Sequence, residues 1–204
     1  MKKACYTVMV GSGYQLRKIK KPCEGWTYHC FTDQDIESDQ WVIHRLDGSG
    51  ISAKKQSRIP KVCCTANLPF ADISVYMDSR FTPIADLTTF AQMHLIGADI
   101  AVMKHHKRDC IYQEAKELKM PVVNNQVNKY RAEGMPEHFG LFAPGVMVRR
   151  HTEELAGFLD FWMGEILAHS HRDQVSLAYS MWKNPSVRVN IMPFRKTYEL
   201  WMGR

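Results

Sequence analysis

The feature that most constrains this chain is a rhythm. Short β-rich apolar runs each end in polar or glycine residues, and most are followed by a stretch with helical spacing. Runs at 4–10, 28–31, 41–46, 73–77, 99–104 and 187–191 read as strands, with another at 141–148 broken by Pro144-Gly145. Helices are expected at 52–68, where Pro60 kinks the helix or delays its start, and at 84–96, 110–119, 126–133, 153–167 and 174–182. The helix at 153–167 is strongly amphipathic, with Leu155, Phe158, Leu159, Trp162 and Ile166 on one side. Strands alternating with helices predict an α/β sandwich around a mainly parallel sheet. In such sheets ligands gather at the carboxyl ends of the strands.

The 204 residues are enough for one domain, 1–204, to bury a core without disulfides or structural metals. The first apolar run is interrupted by Cys5, Tyr6 and Thr7 and lacks a cleavage pattern, and no segment approaches the ~18 apolar residues of a membrane span. A soluble, cytoplasmic protein with no membrane span is the expectation. Six cysteines without CxxC spacing read as reduced thiols.

Lys and Arg number 27 against 21 Asp and Glu, and the formal charge is +6. The excess is clustered at 17–21, 54–61, 104–108, 149–151 and 169–172. Such clusters favour an anionic partner, either the phosphates of a small ligand or a nucleic-acid backbone; a solvated cationic surface is the alternative. Polar groups also fall at the expected strand ends: Gly11 to Gly13, Asp33, Asp78-Ser79-Arg80, and His105 to Asp109. Glycines there let backbone N–H groups approach a ligand closely, and Asp33 is placed to accept hydrogen bonds from a base or ribose.

Tyr6-Thr7 with Gly13-Tyr14, YHCFTDQ (28–34), VYMDSRF (75–81), KHHKRDCIYQEA (104–115), YRAEGMPEHFGLFAPGVMVRRH (130–151) and HRDQVSLAYSMWK (171–183) follow one another along nearly the whole chain. In these segments the sequence resembles the glycosyltransferase-like family first catalogued as a domain of unknown function, which includes plant proteins linked to mucilage polysaccharide synthesis. The resemblance implies a GT-A-like nucleotide-binding α/β sandwich with a mainly parallel central sheet and the active site at its strand ends. It implies that Val10, Gly11 and Tyr14 line the base, that Thr32 and Asp33 hold base or ribose, and that Arg58 and Lys61 reach the diphosphate. Asp78 would anchor Mn²⁺ or Mg²⁺ there. Arg80, however, stands where GT-A enzymes commonly carry a second carboxylate, so a metal-independent site in which Arg80 offsets the leaving-group charge is the alternative.

For catalysis the resemblance points to Asp173, with Asp109 competing for the part; a plain helix cap is the other reading of Asp173. Lys104, His105 and Arg108 would supply positive charge near the diphosphate or acceptor, unless Arg108 simply pairs with Asp109. Gly145 would belong to a wall near the donor sugar, unless it lies in a core strand. The implied reaction carries a sugar from a nucleotide-sugar donor, expected to be a UDP-sugar, to a hydroxyl of a glycan, a small molecule or DNA, including hydroxymethylated bases in viral DNA. Two other functions stay open. A nucleotidyltransferase would share the scaffold, though the Gly-rich basic loop after the first strand is missing. A non-catalytic nucleic-acid-binding protein would suit the charge, though zinc-finger spacing, an RNA-binding aromatic motif and a long basic tail are missing.

Overall fold

The computed structural model describes residues 1–47, 50–84 and 86–202. Among them, β1 (Lys3–Met9), β2 (Trp26–Thr32), β3 (Val42–Arg45), β4 (Ile73–Met77), β5 (Ile100–Lys104), β6 (Phe142–Arg150) and β7 (Val189–Met192) form one sheet in the order β3-β2-β1-β4-β6-β5-β7. Pairing is parallel for β1 with β2 and β4, for β2 with β3 and for β5 with β7. Only β6 runs antiparallel to its neighbours, β4 and β5. The mainly parallel sheet is as expected, and the reversed strand has a consequence for the site. It starts beside the C-terminal end of β4, so that Asp78 N–H donates to the Gly145 carbonyl at 2.8 Å.

Alternation along the strands divides the core. Tyr6, Tyr76, Val102 and Met147 face one side, where Phe158 and Trp162 of α7 (Glu153–Ala168) and Leu177 of α8 (Asp173–Lys183) pack on them. Cys5, Val75, Met103 and Val146 face the other, against Leu87 and Phe90 of α4 (Leu87–His94) and Trp201 of α9 (Phe194–Met202). This two-sided burial makes the sandwich. All six cysteines are unpaired.

Several elements depart from the sequence expectations. The helix at 52–68 is three short pieces, α1 (Ala53–Gln56), α2 (Arg58–Val62) and α3 (Cys64–Asn67). Pro60 is the reason: it has no N–H to give an interior turn, but the first turn of a restarted helix needs none from it. Pro144-Gly145 does not break the strand; β6 runs through as one element and takes up the irregularity as a register shift against β5. Helix α5 (Ile111–Leu118) lies where expected, whereas α6 (Pro121–Ala132) begins five residues before the expected start at 126, with Pro121 in its first turn. Helix α9 was not expected at all, although Phe194, Tyr198 and Trp201 repeat at helical spacing. Residue 85, inside the helix expected at 84–96, lies outside the described residues; the helix itself starts at Leu87, capped by Asp86, which accepts from Thr89 N–H at 2.9 Å.

Candidate active site

A cleft of about 360 Å³ opens at the C-terminal ends of β1 and β4. Its floor is Val8 and Val10 from β1 and its exit, Tyr76 and Asp78 from β4, and Ala143 to Gly145 from the start of β6. Helix α2 contributes Arg58 and Lys61, and the start of α8 contributes Arg172, Asp173 and Gln174. Arg80 closes the rim, next to a second recess of about 270 Å³ lined by Tyr14 and Arg17. Four cations (Arg58, Lys61, Arg80, Arg172) therefore face two carboxylates (Asp78, Asp173), and the surplus is suited to an anion.

Lys61 stands at the centre. Its side chain is 5% exposed, and Nζ lies 2.8 Å from Asp173 Oδ2 and 3.3 Å from Asp78 Oδ1. Arg58, three residues earlier on the same helix face, places Nε 3.1 Å from Asp173 Oδ2. That contact is an ion pair without hydrogen-bond alignment, since Arg58 Nε and Asp173 Oδ2 each lack an aligned partner. Burial alone would raise the Asp173 pKa, but the Lys61 ammonium and the Arg58 guanidinium outweigh it and hold the group at about 2. Tyr76 OH donates to Asp78 Oδ1 at 2.7 Å. Burial and the adjacent Asp78 carboxylate push the Tyr76 pKa well up, which keeps that donor protonated.

Gly145 sits where β6 packs closely on β4. A Cβ there would stand 3.0 Å from Asp78 Oδ2 and 3.3 Å from the Phe81 ring. Asp78 is thus gripped on one oxygen by Tyr76 and Lys61, while Arg80 Nη2 approaches the other at 3.6 Å. A divalent cation takes several oxygen ligands, and among the described residues no group of three or more His, Cys, Asp or Glu could hold one. The oxygens of Asp78 are already turned to cationic and hydroxyl donors.

Of the residues singled out in the sequence, Val10, Tyr14, Arg58, Lys61, Asp78, Arg80, Gly145 and Asp173 line this one cleft. Gly11 lies just outside it, φ +93°, and its N–H donates to the Asp33 carboxylate at 3.0 Å. Asp33 is exposed and Thr32 is buried at the end of β2. The loop after β5 falls elsewhere. His105 is buried, and its Nδ1 accepts the Arg108 N–H at 3.1 Å. Arg108 pairs with Glu114 at 2.6 Å rather than with its neighbour Asp109, and Asp109 pairs instead with His138 at 2.8 Å on the surface. Asp173 is not the helix cap: it is the first residue of α8, and Arg172 occupies the cap position. The expected cluster at 149–151 also dissolves, because Arg149 is fully buried and His151 hydrogen-bonds Ser74. Tyr76 was not singled out, and Arg172 was named only as part of the cationic cluster at 169–172. Tyr76 lies two residues before Asp78, a strand period that puts both on one face, and Arg172 adjoins Asp173.

Residues 40–199 match the TOD1/MUCI70, glycosyltransferase-like domain. The chain belongs to this family. No curated protein matches the chain. Among solved structures, the apo form of mouse xyloside xylosyltransferase 1 is similar with a TM-score of 0.52 at 12% identity, over 99% of this chain and 94% of that one. The apo WbbM bifunctional glycosyltransferase is similar with a TM-score of 0.56 at 16% identity, over 95% of this chain and 39% of that one. GlyE from Streptococcus pneumoniae TIGR4 follows with 0.51 and 13%, over 97% and 46%. The chain thus spans less than half of WbbM and of GlyE. At these identities the likeness is one of fold, the GT-A-like sandwich. Family membership makes this TOD1/MUCI70 glycosyltransferase-like domain an enzyme of glycosyl transfer. Among its described residues no helix is long and apolar enough to cross a membrane.

Proposed function

We propose that the whole chain, as one catalytic domain, transfers a sugar from a UDP-sugar to a hydroxyl acceptor, with the diphosphate seated among Arg58, Lys61, Arg80 and Arg172. The observation that carries this reading is the cationic surplus at the strand ends, built into a cleft whose floor combines Val8, Val10 and Ala143 with Tyr76 and Asp78. A diphosphate gains bidentate contacts from the guanidinium groups, and the glycosidic oxygen that leaves with it meets positive charge as its bond to the sugar breaks. Val10 and Tyr14 at the β1 exit would border the base, with the Asp33 and Gly11 pair behind them. Asp173 is held at about 2, a poor proton acceptor, and its proximity to Lys61 and Arg58 supports a role in aiming those cations. The six unpaired cysteines favour a reducing, cytoplasmic setting.

Calorimetry with UDP, followed by a panel of UDP-sugars scored for slow donor hydrolysis, tests the reading. Heat of binding at micromolar to millimolar UDP is expected. No binding at millimolar UDP, with or without Mn²⁺, would overturn it.

A hydroxymethylated base in DNA is a narrower reading of the acceptor, favoured by Arg17 in the recess beside Arg80. The basic track that would guide such a polyanion is short, because Arg149 is buried and His169 is turned to Glu165 at 3.5 Å. Glycan and small-molecule acceptors are therefore the first arms of an acceptor panel. Transfer to hydroxymethylated but not to unmodified DNA, with binding that weakens steeply in salt, would select the DNA acceptor instead.

A further inference from the structure

We infer that Lys61 is the resident cation of this site and that the domain binds its nucleoside diphosphate without a divalent metal. The inference rests on the UDP-sugar reading above and specifies how that site handles charge. Lys61 Nζ bridges two carboxylates delivered by different elements, Asp78 from the end of β4 and Asp173 from the start of α8. A bound dication would make the same bridge, and here a buried ammonium makes it. The Tyr76 ring lies 5.0 Å from that ammonium and supports it from the side.

The backbone that aims Lys61 is fixed independently of the cleft. Tyr6 OH donates to the Lys61 carbonyl at 3.0 Å, and Arg149 Nη1 donates to the Lys61 and Val62 carbonyls at 2.9 and 3.1 Å. Tyr6 and Arg149 are themselves fully buried in the sheet. The last turn of α2 is therefore pinned to β1 and β6, which fixes the point from which the ammonium reaches its carboxylate partners. An ammonium has three donors. One donates to Asp78 Oδ1 at 3.3 Å, and the contact with Asp173 at 2.8 Å is an ion pair, which leaves donor capacity for an oxygen of a phosphate entering the cleft.

Arg58 and Arg80 complete the device from either side. Arg80 is half-exposed, and its guanidinium lies 5.0 Å from the Phe81 ring and 5.9 Å from the Tyr198 ring, which hold it at the rim. In the transfer step the bond from the sugar anomeric carbon to the donor oxygen breaks, and its electron pair stays on the terminal phosphate oxygen. The acceptor hydroxyl oxygen forms the new bond to that carbon, and its proton passes to water. The charge gained by the diphosphate is met by Lys61, Arg58 and Arg80, which are in place before the reaction and need no reorganisation.

The test is calorimetry of UDP on the full chain, once in excess EDTA and once in millimolar Mn²⁺, with Mn²⁺ binding followed separately by electron paramagnetic resonance. The expected result is a Kd equal within about twofold in the two buffers and no protein-bound Mn²⁺ signal. Lys61→Met should weaken UDP about 30-fold, the size of one lost charge-assisted contact, while Lys61→Arg should recover part of that loss. Thermal unfolding of each variant reports whether it folds, and the EDTA comparison on the unsubstituted protein stands even where Lys61→Met does not. UDP binding that needs Mn²⁺, or tightens more than about tenfold with it, would overturn the resident-cation inference and leave the UDP-sugar reading standing. Absence of UDP binding in both buffers would remove that reading and this inference with it.

Discussion

Lys61 and Arg149 are the two Lys or Arg side chains fully inside the protein among the described residues, and they are buried in opposite ways. Lys61 meets charge: two carboxylates lie within 3.3 Å of its ammonium at the mouth of a cleft. Arg149 meets neutral groups, namely Tyr6 OH and the Lys61 and Val62 carbonyls, with the Tyr6 ring at 5.5 Å and its own Nε without a partner. A cation held by fixed dipoles has nothing to exchange and acts as a strut. A cation held by carboxylates beside open space can share its donors with an incoming phosphate. The contrast assigns one buried charge to the fold and the other to the ligand.

The largest effect is expected where the strut is removed. Arg149→Ala leaves a cavity between β6 and α2 and strips the Lys61 and Val62 carbonyls of their donor, which should cost on the order of 3 kcal/mol or more. Denaturant titration reads this as a lower midpoint, and UDP affinity should fall with it because α2 loses its anchor. An unchanged midpoint would make Arg149 dispensable and erase the distinction.

Asp173→Asn probes the other side. With the carboxylate gone, Lys61 and Arg58 keep their positive charge but lose the group that aims them. Transfer should slow by about tenfold to a hundredfold while UDP affinity stays within about threefold or tightens. Single-turnover kinetics beside calorimetry separates the two quantities. Weaker UDP binding in proportion to slower transfer would show that Asp173 serves ground-state binding alone.

A pH series sharpens the contrast further, because the carboxylate that faces Lys61 titrates in the acid range. The folded-state pKa of Asp173 is depressed from 3.8 to about 2, so its contribution is fully present above pH 4 and is lost as pH falls through 2. Its size is on the order of 2 kcal/mol, and Asp173→Asn should remove that slope. His29 and His151, held near 4 chiefly by burial, act at higher pH: stability should already decline from pH 6.5 towards 4. The Tyr6 hydroxyl beside Arg149 is pushed well up by burial and does not ionise in this window.

Periodicity made most of the sheet legible, since β1, β4 and β5 are apolar runs with a charged or glycine residue at their ends. It also made legible that chemistry gathers there, and Asp78, Lys61 and Asp173 do meet in one cleft. What the sequence could not carry was which way charges point. Arg149 and Arg150 are adjacent in a strand, so they face opposite sides, and Arg149 is the one that turns inward. The short pieces of α1 to α3 were hidden because Pro60 signals a break without saying where the chain restarts. Ion pairing across elements was equally invisible: Lys61 with Asp173 spans α2 to α8, and no local pattern reports it.

The smallest expected effect concerns Asp109, which local sequence makes as good a catalytic carboxylate as Asp173. Its carboxylate is half-exposed and pairs with His138, so it borders no part of the cleft. The loop does touch the site, but through a different residue. Arg108 Nε donates to Glu114 Oε2 at 2.7 Å, the Glu114 side chain is 3% exposed, and its other oxygen lies 3.4 Å from Nη2 of Arg172 in the cleft wall. Arg108→Gln should therefore loosen Arg172 and weaken UDP by about threefold, less than a direct phosphate contact. Asp109→Asn should change neither UDP affinity nor transfer by more than about twofold, since an exposed pair contributes little. If Asp109→Asn instead abolished transfer with UDP binding intact, the loop after β5 would have to close over the donor, and the division between a ligand-facing and a fold-facing set of charges would need redrawing around it.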